Sequence, residues 1–92
     1  MRVGRIKSLG ASGVVLSRPG WFLSCVLTAG AEDATVTLFD HASAASGKKV
    51  CELAAKAGES VAFNTQADVR LTNGLFAQLT GTGAVVSVVF IC

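Results

Sequence analysis

Apolar and polar residues alternate with a period of two along most of this chain, which is typical of β-strands with one buried face. The segment Trp21 to Asp40 shows the pattern best, as two apolar runs separated by a short loop of small and acidic residues. In the second run Val36 and Leu38 are expected to point inward. The two runs are predicted to pair as a β-hairpin. In the first run, the residues expected to face the core are Trp21, Leu23, Cys25 and Leu27.

Similar runs occur on both sides of this segment. An edge strand is predicted over Arg2 to Lys7, because edge strands commonly carry charges. The run from Lys48 to Ala55 suits a strand, although its Glu and Ala residues also favour a helical turn. Asn73-Gly74 predicts a tight type I′ hairpin turn. The other predicted strands are Val14–Leu16, Ser60–Phe63, Val69–Leu71, Leu75–Leu79 and Ala84–Cys92.

The last run is apolar on both faces. Val86, Val88 and Phe90 share one face, and Val85, Val89 and Ile91 share the other with Ser87. We therefore expect a central strand, or a strand that faces another subunit. Segments 27–39 and 79–90 also resemble each other, which recurrent hairpin geometry explains as well as duplication does.

Seven or eight short strands, with turn residues about every 8 to 12 positions, predict an all-β fold. The expected architecture is a small antiparallel β-sandwich or jelly roll. The 92 residues are expected to form a single domain over 1–92, with residues 1–18 as a basic N-terminal arm or edge strand.

Composition adds one expectation about surfaces. Hydrophobic residues make up 51% of the chain and charged residues 15%, which is apolar for so small a domain. Some apolar surface is therefore expected to contact another chain, although the many alanines also inflate the count. No apolar run reaches the length of a membrane span, and no signal peptide is predicted.

Charge and cysteines refine the picture. Residues 1–18 carry four basic residues and no acid, for a charge of +4, while the rest of the chain carries −2. This basic segment could rest on an acidic protein surface or on nucleic acid, or it could be incidental charge on a solvated strand. The three cysteines indicate free thiols in a reducing compartment, with Cys25 and Cys51 as small core residues.

Catalytic and metal-binding chemistry is not expected. Asp40, His41, Ser43 and Ser46 include the residue types of a hydrolytic triad, but no strained nucleophile elbow accompanies them. The cysteines and His41 lack the short paired spacing of zinc sites. Aromatic and basic residues are not interleaved as in a binder of single-stranded nucleic acid. We therefore predict no enzyme, no cofactor, no metal and no nucleic-acid partner.

With these runs placed, most of the chain resembles the small β-sandwich or jelly-roll proteins of tailed-phage particles, especially the capsid decoration (cement) proteins. The resemblance is architectural and includes no active-site motif. The stretches that carry it are Leu27-Thr28-Ala29-Gly30, Ala34 to Asp40, Ser46-Gly47, Ala57 to Val61, Asn73-Gly74-Leu75, and Thr80 to Ala84 before the valine-rich last strand.

The resemblance implies a non-enzymatic virion protein that binds the outer capsid surface, commonly as a homotrimer, with the major capsid protein as its partner. Such a protein is assembled in the host cytoplasm and ends in the virion. A tail, connector or fibre component is one alternative, and a host-surface or glycan-binding module is another.

Two sets of site residues follow from this hypothesis. Arg2, Arg5 and Lys7 are expected to dock the capsid. The last strand is expected to support the core or self-association. It would do so either through Val86, Val88 and Phe90 or through the face opposite to them.

Overall fold

A computed structural model of the protein describes residues 4–45 and 47–91, the side chains of residues 65–68 excepted. Eight strands and no helix occur in these residues, so no membrane-crossing helix is found among them. The strands are β1 (Gly4–Leu9), β2 (Gly13–Leu16), β3 (Gly20–Thr28), β4 (Ala34–Asp40), β5 (Lys48–Ala55), β6 (Ser60–Leu71), β7 (Leu75–Thr80) and β8 (Val85–Ile91).

The strands form two four-stranded antiparallel sheets, in the orders β1-β8-β3-β6 and β2-β7-β4-β5. The first strand therefore pairs with the last, the second with the seventh, the third with the sixth and the fourth with the fifth. This nested pairing is that of one long hairpin wrapped into a two-sheet sandwich, which is a jelly roll. The predicted all-β sandwich is confirmed.

The predicted hairpins are wrong, although the strands on either side of them are real. β3 and β4 belong to different sheets, and so do β6 and β7 around Asn73-Gly74. Among the described strands, only β4 and β5 are consecutive and paired. A short glycine-containing connection can serve as a hairpin turn or as a corner between sheets. The choice depends on which arrangement lets the two apolar sheet faces cover each other.

A β-bulge in β3 overturns part of the predicted inward face. Phe22 pairs with Phe90 and Ser24 with Val89, so Leu23 is an extra residue in β3. An extra residue exchanges the two faces of the strand beyond it. Cys25 and Leu27 are buried as predicted, but at the start of β3 it is Phe22, and not Trp21, that is fully buried.

The core lies between the two sheets and is built mainly from the inward residues of their central strands. Phe22 stacks against Phe63 with ring centroids 6.3 Å apart, next to the bulge. The largest fully buried side chains are Phe22, Leu27, Leu38, Leu71, Leu75, Val36, Val86, Val88 and Cys25.

Other predicted elements agree with the structure, with one exception. β1 is an edge strand, Lys48–Ala55 is a strand and not a helix, and β8 is central in its sheet. The exception is the break between the two predicted strands Ser60–Phe63 and Val69–Leu71. One strand, β6, runs through it from Ser60 to Leu71, with a register shift against β3.

Two corners interlock at one end of the sandwich. A Cβ on Gly30 would lie 2.8 Å from the carbonyl oxygen of Thr82, and one on Gly81 would lie 2.7 Å from that of Asp33. Gly81 also has a φ of 103°, which side-chain-bearing residues rarely adopt. Since Thr82 N–H donates to Glu32 Oε1 at 3.1 Å, the β3–β4 and β7–β8 corners hold each other in place.

We predict that Gly81→Ala lowers the free energy of unfolding by about 2 kcal/mol or more, because the methyl group meets backbone atoms and φ is unfavourable. Urea unfolding of the purified protein measures this change. Gly10→Ala is the matched control, since a Cβ there meets nothing within 4 Å, and it should change stability by less than about 0.5 kcal/mol. Equal losses in the two variants would contradict the interlock.

At the opposite end, the buried carboxylate of Asp40 caps the β6–β7 corner. It accepts hydrogen bonds from the backbone N–H groups of Thr72, Asn73 and Gly74 and from the Thr72 hydroxyl, at 2.9–3.3 Å. Burial alone would raise the pKa of this carboxyl. The hydrogen bonds outweigh burial and hold the pKa below its ordinary value.

We predict that Asp40→Asn destabilises the protein by about 2 kcal/mol at neutral pH, because the amide cannot accept the same set of hydrogen bonds. The contribution of Asp40 is full above the ordinary carboxyl pKa of about 3.9 and is lost as pH falls through the lower folded value. The difference between the two proteins in urea unfolding should therefore shrink on acidification below pH 4. Asp33→Asn is the control, since Asp33 is exposed and accepts one bond, from Ala57 N–H. A pH-independent difference would contradict this account of Asp40.

Candidate functional site

Apart from residues 65–68 of β6, whose side chains are not described, the outer face of the β1-β8-β3-β6 sheet is almost free of charge, and we call this part of it the neutral face. Its residues are adjacent through the strand register, and Arg70 is the one charged residue among them. The neutral face consists of Gly4, Ile6, Ser8, Trp21, Ser24, Val26, Thr28, Ser60, Ala62, Asn64, Arg70, Val85, Ser87, Val89 and Ile91.

Aliphatic side chains are exposed on this face. Ile6 is 72% exposed, and Val26 and Val85 are each 40% exposed. Between them, hydroxyl groups bond to one another across strands, at 2.8 Å for Ser8 with Ser87 and 3.2 Å for Ser60 with Thr28. Because these hydroxyls already have partners, covering the face removes little hydrogen bonding with water. Its chemistry favours contact with another protein surface.

Trp21 and Arg70 form one corner of the neutral face. The Arg70 guanidinium lies 4.8 Å from the centroid of the Trp21 ring, within the range of a cation–π contact. The ring is half-buried and carries an arginine over it. Trp21 is therefore not an exposed aromatic residue at a loop tip, which is what a sugar-binding surface would need.

The opposite sheet, β2-β7-β4-β5, has a different outer face. There the Lys49 ammonium lies 4.0 Å from the Glu52 carboxylate, and the Thr37 hydroxyl donates to Glu52 at 3.1 Å. Gln78 is exposed on the central strand β7 and is opposite Thr37. The described residues of the two outer faces therefore differ in charge.

Val86, Val88 and Phe90, predicted to serve the core or self-association, all point into the sandwich. Val86 and Val88 are fully buried and Phe90 is 6% exposed. The other face of β8, with Val85, Val89 and Ile91, belongs to the neutral face. Val86, Val88 and Phe90 therefore belong to the core, and the opposite parity of β8 belongs to the outer face of the sheet.

The predicted docking residues have unequal surroundings. Arg5 and Lys7 are opposite Phe90 and Val88, on the core side of the edge strand β1, but both are exposed at the open edge of the sandwich. The Lys7 ammonium donates to the Val14 carbonyl of the other sheet at 3.0 Å, so it bridges the two sheets there. Arg5 is the more available of the two, and Arg2 lies outside the described residues.

The residues that resembled a triad have local partners. His41 Nδ1 accepts hydrogen bonds from the N–H groups of Ser43 and Ala44, each at 3.1 Å, and Asp40 caps the β6–β7 corner. Ser46 lies outside the described residues. In the described part of the chain, no three His, Cys, Asp or Glu side chains gather as metal ligands would.

The neutral face was not identified from the sequence, because it depends on strand neighbours. Ser8 and Ser87 are far apart in the chain and are opposite each other only through the β1–β8 pairing. The signal that could have indicated it was the low charge of the segments concerned, since residues 20–31 and 84–91 contain no charged residue.

Comparison of the chain with protein-family models, with curated proteins and with solved structures finds no match in any of the three.

Proposed function

We propose that this protein is a non-enzymatic structural component of a tailed-phage particle, where it binds the outer capsid surface as a decoration protein and stabilises the shell. The observation that carries the proposal is the neutral face, which extends over all four strands of one sheet and has exposed aliphatic groups and one charge among the residues assigned to it. The jelly-roll topology and the resemblance of the chain to decoration proteins support it.

The neutral face suits a second copy of this chain. A symmetric oligomer brings identical patches close together, face to face around a two-fold axis or side by side around a three-fold axis, so a cluster of like charges would repel its copies. A neutral patch avoids this repulsion and offers nothing to attract a strongly charged partner. Apolar side chains with hydrogen-bonded hydroxyls between them also match the apolar character of homo-oligomer interfaces. A homotrimer is the assembly that the resemblance to decoration proteins implies.

Basic residues near the N-terminus, in β1 and just before it in the sequence, supply the contact with the major capsid protein. Arg5 is exposed at the sheet edge, and in this proposal it acts with Arg2 and, to a smaller extent, with Lys7. Each such contact is weak in water. An oligomer that places several of them on one shell gains from the high effective concentration of its remaining subunits once the first has bound.

We predict that Val26→Lys converts an oligomer of the wild-type protein into a monomer, because it places a charged group in the middle of the apolar patch through which the copies would make contact. Light scattering during size-exclusion chromatography measures the mass of each species. Gln78→Lys is the control with the same added charge, on a central strand of the other sheet, and it should keep the oligomer. A monomeric wild type, or an oligomer that survives Val26→Lys, would rule out the neutral face as the self-contact.

We predict that replacing Arg2, Arg5 and Lys7 together by Ser reduces the number of copies bound to purified particles, since three positive charges are removed. The control replaces Lys48, Lys49 and Lys56 by Ser, which removes the same charge from another region. We call the protein with Arg2, Arg5 and Lys7 replaced the leading-strand variant. Raised salt should weaken binding of the wild type more than binding of this variant.

The number of copies of this chain in purified particles also distinguishes a location on the capsid surface from one in the tail, connector or fibre. A decoration protein is present in many copies per particle, whereas a tail, connector or fibre component is present in few. Equal occupancy of the wild type and the leading-strand variant at both low and raised salt would remove the electrostatic part of the proposal.

A further inference from the structure

Two cysteines face each other across the sandwich. Cys25 on β3 is 1% exposed and belongs to the core, while Cys51 on β5 is half-buried and packs against that core from the other sheet. Both are free thiols, and their side chains are in hydrogen-bonding contact. Cys25 and Cys51 therefore form a dithiol pair that spans the two sheets.

The two strands that carry these cysteines approach each other closely. Some Cα atoms of β3 lie within 8 Å of Cα atoms of β5, although sheets in a sandwich are commonly about 10 Å apart. Cα atoms joined through a disulfide are usually separated by about 4.4–6.8 Å. β5 is an edge strand, and its register against β4 shifts beside Cys51, where Leu38 pairs with Cys51 and Phe39 with Lys49. Because β5 has a hydrogen-bonded neighbour on one side only, it is the strand that would shift to complete the approach.

The two thiols differ in access and acidity. The hydrogen bond from Cys25 holds the pKa of the Cys51 thiol below its ordinary value. The same contact, together with burial, raises the pKa of the Cys25 thiol. Cys51 is also the more exposed of the two, so it is the group that an external reagent reaches as a thiolate.

We propose that Cys25 and Cys51 are an oxidisable pair that closes into a cross-sheet disulfide when the folded protein meets a small disulfide such as oxidised glutathione. Cys51 thiolate attacks one glutathione sulfur, forming a mixed disulfide and releasing one glutathione thiolate. Cys25 then loses its proton and attacks Cys51 Sγ, which releases the second glutathione. Two protein thiols are oxidised and one glutathione disulfide is reduced to two glutathione thiols.

This inference goes beyond the proposed function and does not depend on it. The bond would tie β3 of one sheet to β5 of the other and close a loop of about 25 residues, which restricts the unfolded chain. In a reducing compartment the pair stays open and packs as two small apolar side chains. The same fold thus has a reduced form and a more stable oxidised form.

The test uses the full-length chain with Cys92→Ser, so that Cys25 and Cys51 are its two cysteines. After incubation of the folded protein with oxidised glutathione, intact-mass spectrometry should show loss of two hydrogens and no retained glutathione. Peptide mapping should join the segments that contain Cys25 and Cys51. The oxidised form should melt on the order of 10 °C higher than the reduced form, and dithiothreitol should reverse the change.

Single variants in the same background distinguish the two roles. Cys25→Ser should keep one glutathione on Cys51, because nothing resolves the mixed disulfide, and Cys51→Ser should remain unmodified while folded. Retained glutathione without a disulfide in the two-cysteine protein, or equal modification of the two single variants, would overturn the proposal. A disulfide that lowers the melting temperature would also overturn the stabilising role.

Discussion

Two apolar sheet faces that cover each other are the contact on which the rest of this structure depends. Each sheet has one apolar side, and at its core positions even small residues such as Ala34 and Ala77 are almost fully buried. A single flat sheet of consecutive strands would leave its apolar side exposed to water. Every connection between consecutive described strands except β4–β5 therefore crosses from one sheet to the other. The glycine corners and the Asp40 cap fix those crossings, so they are consequences of the same constraint.

Charge is distributed around this core in a way that gives the two outer faces and the edges separate roles. The edge strand β1 carries Arg5 and Lys7 on its inward side, an arrangement that discourages another strand from pairing there. The neutral face lies next to that edge and carries no such protection over its valines. If the protein associates with itself, its charges therefore favour face-to-face packing over extension of the sheet.

Much of the fold could be predicted from the sequence, because period-two alternation reports which residues share a strand face. It correctly indicated Val36 and Leu38 as core and β8 as a central strand. It could not report which strands are neighbours, since Asn73-Gly74 suits a hairpin turn and an inter-sheet corner equally well. The bulge at Leu23 was also invisible, because one extra residue changes parity without changing composition. For the candidate site, low charge suggested a contact surface, but the pairing of Ser8 with Ser87 and the approach of Cys25 to Cys51 both depend on that long-range topology.

The nested order of strand pairs also governs how the chain can lose its conformational entropy. β4 and β5 are separated by one loop, so bringing them together closes a short ring. Each further pair encloses the one before it, out to Gly4 beside Ile91 near the two limits of the described chain. Ring-closure entropy grows only slowly with length, so each outer pair loses little extra entropy once the inner pairs have formed. Closing the outermost pair first would instead fix the widest ring before any apolar surface had been buried. The wrapped hairpin therefore favours assembly from its closed end outward, with a folding rate limited by its many distant contacts.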